Sequence, residues 1–327
     1  MGDGVLDVDL LAFELGDAQR RRAVVDGVRR SLETGFVYTS HDIPAGVIDA
    51  AYELLATFFR LPAEVKHRWR APGSHGQTGY TGLLVETAAT SDTPDWKEML
   101  NWGEDLPAAH PLRRAYPHRY MDQVLPEADV PGITEVLMAF HERLHDLQRR
   151  FLRVIAIGLG CHETFFDDLL VDGSTLNRAI RYPPMAGAPA GSPYVWAAEH
   201  GDINLITALP RATAAGLQVR TEDGWIDAVA PEGAAVINTG IMLERLSNGV
   251  IPTGIHRVVA AAGQGGERYS VVQFCHPSPW MQLAPVPSCV TEARPLRFGT
   301  IEAGDLLDRV LWEINLIEDG RRIAASG

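Results

Sequence analysis

The stretch Trp196-Ala197-Ala198-Glu199-His200-Gly201-Asp202-Ile203-Asn204-Leu205-Ile206-Thr207-Ala208-Leu209 decides the fold. Its second half is apolar and β-branched, which is typical of a strand. Successive side chains on a strand point to opposite faces, so His200 and Asp202 are predicted to share one face. One imidazole and one carboxylate do not hold a metal ion tightly, so a third ligand must come from elsewhere in the chain.

That third ligand is offered by Gly254-Ile255-His256-Arg257-Val258-Val259, on a later predicted strand. Two histidines and one carboxylate on one face of an octahedral ion leave three positions open, a pattern typical of non-haem Fe(II) oxygenases. The sequence therefore predicts a metal site formed by His200, Asp202 and His256.

A second polar pair follows His256 in Arg268-Tyr269-Ser270-Val271-Val272-Gln273-Phe274. Arg268 and Ser270 share a strand face by the same period of two. A guanidinium binds a carboxylate in bidentate fashion, and a hydroxyl can satisfy a remaining lone pair. An arginine and a serine beside a metal would suit an acid co-substrate such as 2-oxoglutarate.

Each of these motifs alone has a purely structural alternative. An H-x-D pair usually caps a turn, an R-x-S pair on a strand is more often a surface ladder, and a lone His256 is more often a buried, hydrogen-bonded histidine. Their order and spacing on consecutive strands favour a common site, because three unrelated coincidences would otherwise be needed.

Further segments share a likeness to one known family: Gly35-Phe36-Val37-Tyr38, Phe58-Phe59-Arg60-Leu61-Pro62, Gly79-Tyr80, Asp95-Trp96-Lys97-Glu98, Asn238-Thr239-Gly240, Leu246-Ser247-Asn248-Gly249 and His256-Arg257-Val258. With them, nearly the whole chain resembles the isopenicillin N synthase-like family of Fe(II) oxygenases, most of which use 2-oxoglutarate. The resemblance implies that His200, Asp202 and His256 bind Fe(II). It also implies that Arg268 and Ser270, helped by Tyr182, hold a carboxylate, and that 2-oxoglutarate and O2 are co-substrates.

Two positions depart from many 2-oxoglutarate-dependent members of that family. Ile180 lies two residues before Tyr182 where they carry asparagine, and Ile241 follows Gly240 where they often carry aspartate. Both departures resemble the isopenicillin N synthase branch, in which the same arginine, serine and tyrosine bind the substrate's own carboxylate. That branch also carries a glutamine iron ligand near its C-terminus, whereas this chain ends Arg321-Arg322-Ile323-Ala324-Ala325-Ser326-Gly327.

The sequence therefore favours a 2-oxoglutarate-dependent oxygenase that hydroxylates a small molecule, or desaturates or cyclises it, in bacterial-type specialised or amino-acid metabolism. A 2-oxoglutarate-independent oxidase is the nearest alternative. A non-catalytic jelly-roll binding protein is the alternative from a different functional class.

The expected fold is α+β, with a double-stranded β-helix (jelly-roll) core, because short β segments with Gly and Pro turns follow residue 177. We expect an N-terminal helical and lid region over residues 1–125, the core with its supporting helix over 126–300, and a C-terminal helix over 301–327. Apolar residues every three or four positions predict the supporting helix over 133–158.

The supporting helix contains His141-Glu142-Arg143-Leu144-His145, a match to the H-E-x-x-H zinc-peptidase pattern. Helical spacing places both histidines on the flank of the buried stripe, and the glycine and third histidine of the extended zinc motif are absent. We therefore interpret the match as a solvated helix flank.

The Gly-rich stretch 71–93 is predicted to be a long loop and a candidate lid. Tyr80 within it could fold over a bound molecule, and Asn101 could contact a polar group of the substrate. The alternative is that Tyr80 packs on the N-terminal helices and that Asn101 caps a turn.

The net charge of −13 argues against nucleic acid as a partner, because phosphates would be repelled. Three cysteines without C-x-x-C spacing suit a reducing compartment. No signal peptide or membrane span is predicted, so a soluble, cytoplasmic protein is expected. The sequence does not determine the oligomeric state.

Overall fold

The computed structural model describes residues 4–88, 91–190, 194–261 and 263–313. The helices are α1 (Leu10–Leu15), α2 (Ala18–Ser31), α3 (Ala45–Phe59), α4 (Ala63–His67), α5 (Pro111–Ala115), α6 (Ile133–Gly158), α7 (Ile241–Leu246) and α8 (Ala303–Glu313). Short 3-10 turns occupy Asp168–Leu170, Met185–Gly187 and Pro287–Cys289. Among the described residues, no helix has the length and apolarity needed to cross a membrane.

The strands are β1 (Asp7–Val8), β2 (Phe36–Ser40), β3 (Gly79–Thr81), β4 (Glu98–Gly103), β5 (Leu176–Tyr182), β6 (Ala197–His200), β7 (Ile206–Leu209), β8 (Leu217–Thr221), β9 (Gly224–Asp227), β10 (Ala234–Thr239), β11 (His256–Val258), β12 (Arg268–Cys275), β13 (Gln282–Leu283) and β14 (Ile301–Glu302). A major sheet has the order β1-β2-β10-β7-β12-β5-β4-β3, and a minor sheet has the order β6-β11-β8-β9. Side chains from both sheets line one pocket, which therefore lies between them. This is the predicted jelly-roll core.

The long helix α6 supports the other face of the major sheet. Its buried stripe includes Leu137, Phe140, Leu144 and Phe151, all with no exposed area. Gln148 projects from the same helix and donates to the carbonyl oxygens of Ile206 and Gln273, at 3.2 and 2.9 Å. The apolar period thus predicted both the bounds and the buried face of α6.

The solvated-flank prediction for the H-E-x-x-H motif is correct for Glu142, which is exposed, and wrong for His141, which is only 3% exposed. His141 Nδ1 lies 2.6 Å from Asn177 Oδ1, and its Nε2 lies 3.4 Å from Glu104 Oε2. The sheet and the segment after β4 cover this flank, which helical geometry alone could not reveal. The imidazole is part of a buried hydrogen-bond network between α6 and β5.

The N-terminal region is joined to the core through β2, which pairs with β10 inside the major sheet. Gly35 precedes β2 with φ of +76°, and a Cβ atom there would lie 2.4 Å from the Cα of Gly254. Gly254 in turn lies two residues before His256, a predicted metal ligand. Two glycines therefore allow the backbones of the N-terminal region and of the segment before β11 to touch.

Replacement of Gly35 by alanine should destabilise the protein by at least about 2 kcal/mol, because it adds both left-handed strain and a backbone overlap. Urea unfolding measures this change. Gly46→Ala is the matched control, since the residue is helical and a Cβ added there would have no heavy atom within 4 Å. That variant should be neutral or more stable by up to about 1 kcal/mol. Equal stabilities of the two variants would contradict the close-approach argument.

Candidate iron site

Two histidines from neighbouring strands of the minor sheet form the base of the site. His256 is the direct antiparallel partner of His200 in the pairing of β11 with β6. Their ring centroids are 4.3 Å apart, with an angle of 51° between the rings. Antiparallel pairing places opposite side chains on one face at this separation, so the sheet register itself brings both imidazoles together.

Asp202 joins them from outside the strand. β6 ends at His200, and the chain turns through Gly201 before Asp202, so the prediction that both residues lie on one strand is wrong in this detail. Asp202 Oδ1 nevertheless lies 4.0 Å from His200 Nε2. One ligand atom from each of Asp202, His200 and His256 can be chosen such that all lie within 4.8 Å of one another.

Hydrogen bonds fix which atoms face the centre of this group. His200 Nδ1 lies 2.8 Å from the carbonyl oxygen of Ala198, and His256 Nδ1 lies 3.0 Å from that of Gly254. A carbonyl oxygen only accepts, so each Nδ1 carries the proton and each Nε2 keeps a lone pair for a metal. Among the described residues, this is the one group of three histidine, cysteine or acidic side chains with metal-ligand spacing.

The electrostatics also favour a cation. Burial, together with the adjacent His256 ring, lowers the pKa of His200 to about 4, so the imidazole is neutral at pH 7. Burial opposes the charge of Asp202, but His256 and His200 and hydrogen bonds from Thr207 and Asn238 hold the pKa of this carboxyl below its usual value.

Those two hydrogen bonds, at 2.5 Å from Thr207 Oγ1 and 2.7 Å from Asn238 Nδ2, both reach Asp202 Oδ2. Oδ1 is thereby left for a metal. Two neutral imidazoles and one oriented carboxylate form the donor set that suits Fe(II).

The predicted carboxylate clamp lies on the opposite wall of the same pocket. Arg268 and Ser270 on β12 and Tyr182 on β5 are each no more than 3% exposed. Arg268 is paired in register with Tyr182, its guanidinium lies 5.0 Å from the ring centroid of that tyrosine, and its Nη1 donates to Ser270 Oγ at 3.1 Å. Among the described residues, no carboxylate forms an ion pair with Arg268.

Family models match two parts of the chain. Residues 5–127 match the N-terminal model of non-haem dioxygenases named for morphine synthesis, and residues 174–277 match the 2OG-Fe(II) oxygenase superfamily. Gibberellin 20 oxidase 2 of Oryza sativa is 30% identical over 287 residues, which is 87% of this chain and 70% of the relative. The chain belongs to the isopenicillin N synthase-like family of Fe(II)/2-oxoglutarate-dependent oxygenases.

Other relatives of the oxygenase agree over most of its length. A 2-oxoglutarate-Fe(II) type oxidoreductase of Emericella nidulans is 27% identical and aligns with 92% of this chain and 87% of its own. A 2OG-Fe(II) oxygenase family protein from Caulobacter crescentus superposes with a TM-score of 0.83 and 33% identity, over 96% of this chain and all of that one.

A full-length Neurospora crassa protein, solved in complex with alpha-KG, gives a TM-score of 0.82 at 26% identity, over 95% of this chain and 97% of that one. These relatives establish an Fe(II)- and 2-oxoglutarate-dependent oxygenase with the predicted jelly-roll fold, and the His200, Asp202 and His256 cluster is its iron site.

The two residues predicted for the substrate side lie elsewhere. Tyr80 is 5% exposed, stacks edge-on against Phe58 with 5.8 Å between ring centroids, and donates its hydroxyl to Glu98. This arrangement agrees with the packing role, which was one of the two alternatives that the sequence offered for Tyr80. Asn101 has no exposed area; its Nδ2 donates to the carbonyl oxygen of Gly79 and its Oδ1 accepts from Arg178. Neither side chain lines the pocket.

Two cations that line the pocket, Lys97 and Arg178, were not among the site residues predicted from the sequence. Lys97 stands inside the Asp-Trp-Lys-Glu motif, and Arg178 begins a run of alternating residues toward Tyr182. The alternation was the available signal, because Arg178, Ile180 and Tyr182 must share the strand face that carries the clamp.

Replacement of His200 or His256 by alanine should abolish Fe(II) binding. Each variant keeps only two of the three protein ligands, and two ligands do not hold the ion tightly. Anaerobic titration with Fe(II) and 2-oxoglutarate measures this through the visible charge-transfer band of the chelate. His162→Ala is the control, since His162 is an exposed histidine that contacts Thr164. A normal band in either ligand variant would contradict the assignment.

The two roles of Tyr80 predict different outcomes. As a packing residue, Tyr80→Ala should lower the free energy of unfolding by about 3 to 5 kcal/mol, and Tyr80→Phe by about 1 to 2 kcal/mol. Tyr80→Phe should leave the ratio of succinate to oxidised product unchanged. A Tyr80→Phe variant of unchanged stability that forms excess succinate would instead support the lid role.

Proposed function

We propose that Arg268, Ser270 and Tyr182 hold the distal carboxylate of 2-oxoglutarate, and that the enzyme uses this co-substrate to hydroxylate a small molecule. The observation that carries the proposal is the buried guanidinium of Arg268, which is 2% exposed and has no carboxylate partner among the described residues. A buried cation without a counter-ion is costly, so an anionic ligand would be strongly favoured beside it.

The surrounding contacts orient the guanidinium for this role. Its Nε donates to the carbonyl oxygen of Ala214 at 3.1 Å, and its Nη1 donates to Ser270. The side chain is therefore held from two sides, while the remaining N–H groups are available to a carboxylate. Because the clamp and the iron ligands line one pocket, a molecule with a carboxylate at each end can span them.

Bound Fe(II) would supply the oxidation chemistry: 2-oxoglutarate and O2 are converted to succinate and CO2 while one oxygen atom enters the substrate C–H bond. The protein residues bind and orient. His200, Asp202 and His256 hold the metal, Thr207 and Asn238 keep one oxygen of Asp202 directed at it, and Arg268 fixes the co-substrate. Hydroxylation requires no additional acid or base, which is why we favour it over desaturation or ring closure.

The same chemistry supports a small molecule rather than nucleic acid as the substrate. The net charge of −13 would repel a phosphate backbone, and the iron ligands lie inside a pocket between two sheets. We further propose a cytoplasmic location, which is supported by the three cysteines, all present as free thiols.

Arg268→Gln should weaken 2-oxoglutarate binding by about 2 to 5 kcal/mol, a loss of roughly 30-fold or more, because a desolvated charge-assisted contact is removed. The measurement is the 2-oxoglutarate dependence of the charge-transfer band, together with succinate formation. Arg68→Gln removes an exposed arginine that pairs with Asp129 and should bind 2-oxoglutarate normally.

If Arg268→Gln binds 2-oxoglutarate as the unaltered enzyme does, the clamp belongs to a carboxylate of the substrate instead. Incorporation of one atom of labelled oxygen into the product would separate hydroxylation from desaturation.

A further inference from the structure

Four charged side chains lie together at the pocket wall formed by β5 and the segment before β4. Lys97 Nζ is 2.7 Å from a carboxylate oxygen of Glu86 and 2.8 Å from one of Asp95. Arg178 Nη1 is 3.0 Å from the other oxygen of Glu86. These side chains are 3 to 16% exposed, so their interactions are weakly screened by solvent.

Mutual contact keeps the central pair of this cluster ionised. Burial opposes the charge of Glu86, but Arg178 and Lys97 lower its pKa to about 2. Burial likewise opposes the charge of Lys97, but Glu86 and Asp95 raise the pKa of its ammonium above the usual value. Two cations and two carboxylates in contact leave this wall with no formal charge.

The cations, and not the carboxylates, are the members of this cluster that line the pocket. Lys97 and Arg178 line the pocket, whereas Glu86 and Asp95 lie behind them. An ammonium has three N–H groups and a guanidinium five, and the carboxylates together with Asn101 engage only some of them. Hydrogen-bond donors therefore face the ligand from a wall that carries no net charge.

We propose that this wall selects an uncharged substrate that presents a hydrogen-bond acceptor such as a carbonyl, and that Glu86 sets the preference by neutralising Lys97 and Arg178. The inference rests on the proposed function, in which Arg268 binds 2-oxoglutarate and the wall of Lys97 and Arg178 is left to contact the substrate. The neighbouring wall residues Ile180, Val272 and Phe274 are apolar, so the substrate would carry its acceptor on an apolar body.

Glu86 is the member of the cluster that can be altered most cleanly. Asp95 Oδ1 also accepts from the backbone N–H of Ala198 at 3.0 Å, so its replacement would disturb β6 and the iron ligand at its end. Glu86 lies on the connection between β3 and β4, does not line the pocket, and contacts the two cations that do. It is a positioning residue, and its replacement by glutamine preserves its shape while leaving the wall with one positive charge.

The test compares matched amides, carboxylates and amines on three frameworks: acetamide, acetate and methylamine; benzamide, benzoate and benzylamine; and the corresponding naphthalene set. Calorimetric titration into the anaerobic enzyme with Fe(II) and saturating 2-oxoglutarate gives each dissociation constant. On the best-fitting framework, the unaltered enzyme should bind the amide at least tenfold more tightly than the carboxylate. Glu86→Gln should shift this ratio at least tenfold toward the carboxylate, because a buried charge is left uncompensated.

Lys97→Met provides the reciprocal change, since it leaves the wall with one negative charge and should shift binding toward the amine. Glu222→Gln alters the net charge equally at an exposed position outside the pocket and should leave every ratio unchanged. A normal charge-transfer band in each variant shows that the iron and 2-oxoglutarate sites are intact. A failure of the proposed substrate preference can then be distinguished from a failure of the Arg268 assignment.

The proposal is overturned if the unaltered enzyme prefers the carboxylate, if no amide binds, or if Glu86→Gln changes the ratio no more than Glu222→Gln does. If Glu86→Gln does not fold, an unchanged preference in Lys97→Met overturns it.

Discussion

The pairing of β11 with β6 is the constraint on which the rest of the structure depends. It places His256 opposite His200, although 56 positions separate the two residues in the chain. A one-residue slip of register would direct one imidazole to the other face of the sheet and destroy the site. Two glycines beside the ligands pack tightly against their neighbours, which restricts other registers. A Cβ on Gly201 would lie 2.6 Å from the side-chain Cγ2 of Thr253, and one on Gly254 would lie 2.6 Å from the carbonyl oxygen of Gly35. The N-terminal region therefore contributes to the iron site by fixing where β11 begins.

The buried cations of the pocket differ in whether the protein supplies them with a counter-ion, and this difference indicates where an anionic ligand would bind. Lys97 and Arg178 are matched by Glu86 and Asp95, so that wall is complete without a bound molecule. Arg268 is buried more deeply and has only neutral hydrogen-bond partners in the described part of the chain. The free-energy cost of burying Lys97 and Arg178 is offset by carboxylates of the protein. For Arg268 it can be offset only by an anion from solution. Arg268 lies in the same pocket as the metal site and lacks a counter-ion among the described residues. This observation is stronger evidence for an acidic co-substrate than the R-x-S sequence motif alone.

The parts of the site that follow from strand periodicity could be predicted from sequence. The alternation of Arg268 and Ser270, the strand that contains His256 and the apolar stripe of α6 depend only on local spacing, and all three are found as expected. The error at His141 arose where a partner far away in sequence decides the outcome. His141 was expected at the surface because no helical pattern predicts that Asn177 and Glu104 would cover it. The surroundings of Tyr80 depend on distant residues as well: its glycine neighbours suggest a mobile loop, whereas Phe58 and Glu98 contact its side chain in the core. The ion pairs of Glu86 are of the same kind, since no spacing rule connects that residue to Arg178.

This division between local and distant determinants bears on how one scaffold accepts different substrates. Relatives that align over more than four-fifths of this chain carry names as different as gibberellin 20 oxidase and azadirone synthase. A shared fold does not determine the substrate, which depends on the residues that surround the reacting centre. Selectivity must then come from pocket walls that the metal does not constrain.

In this chain the wall of Lys97 and Arg178 meets that requirement, because the residue that balances its charge, Glu86, is supplied by a connection between strands and not by the sheet. Connections between strands tolerate substitution better than strands do. A change at Glu86 could therefore alter the charge that the substrate meets while the register of β6 and β11, and with it the iron site, stays the same.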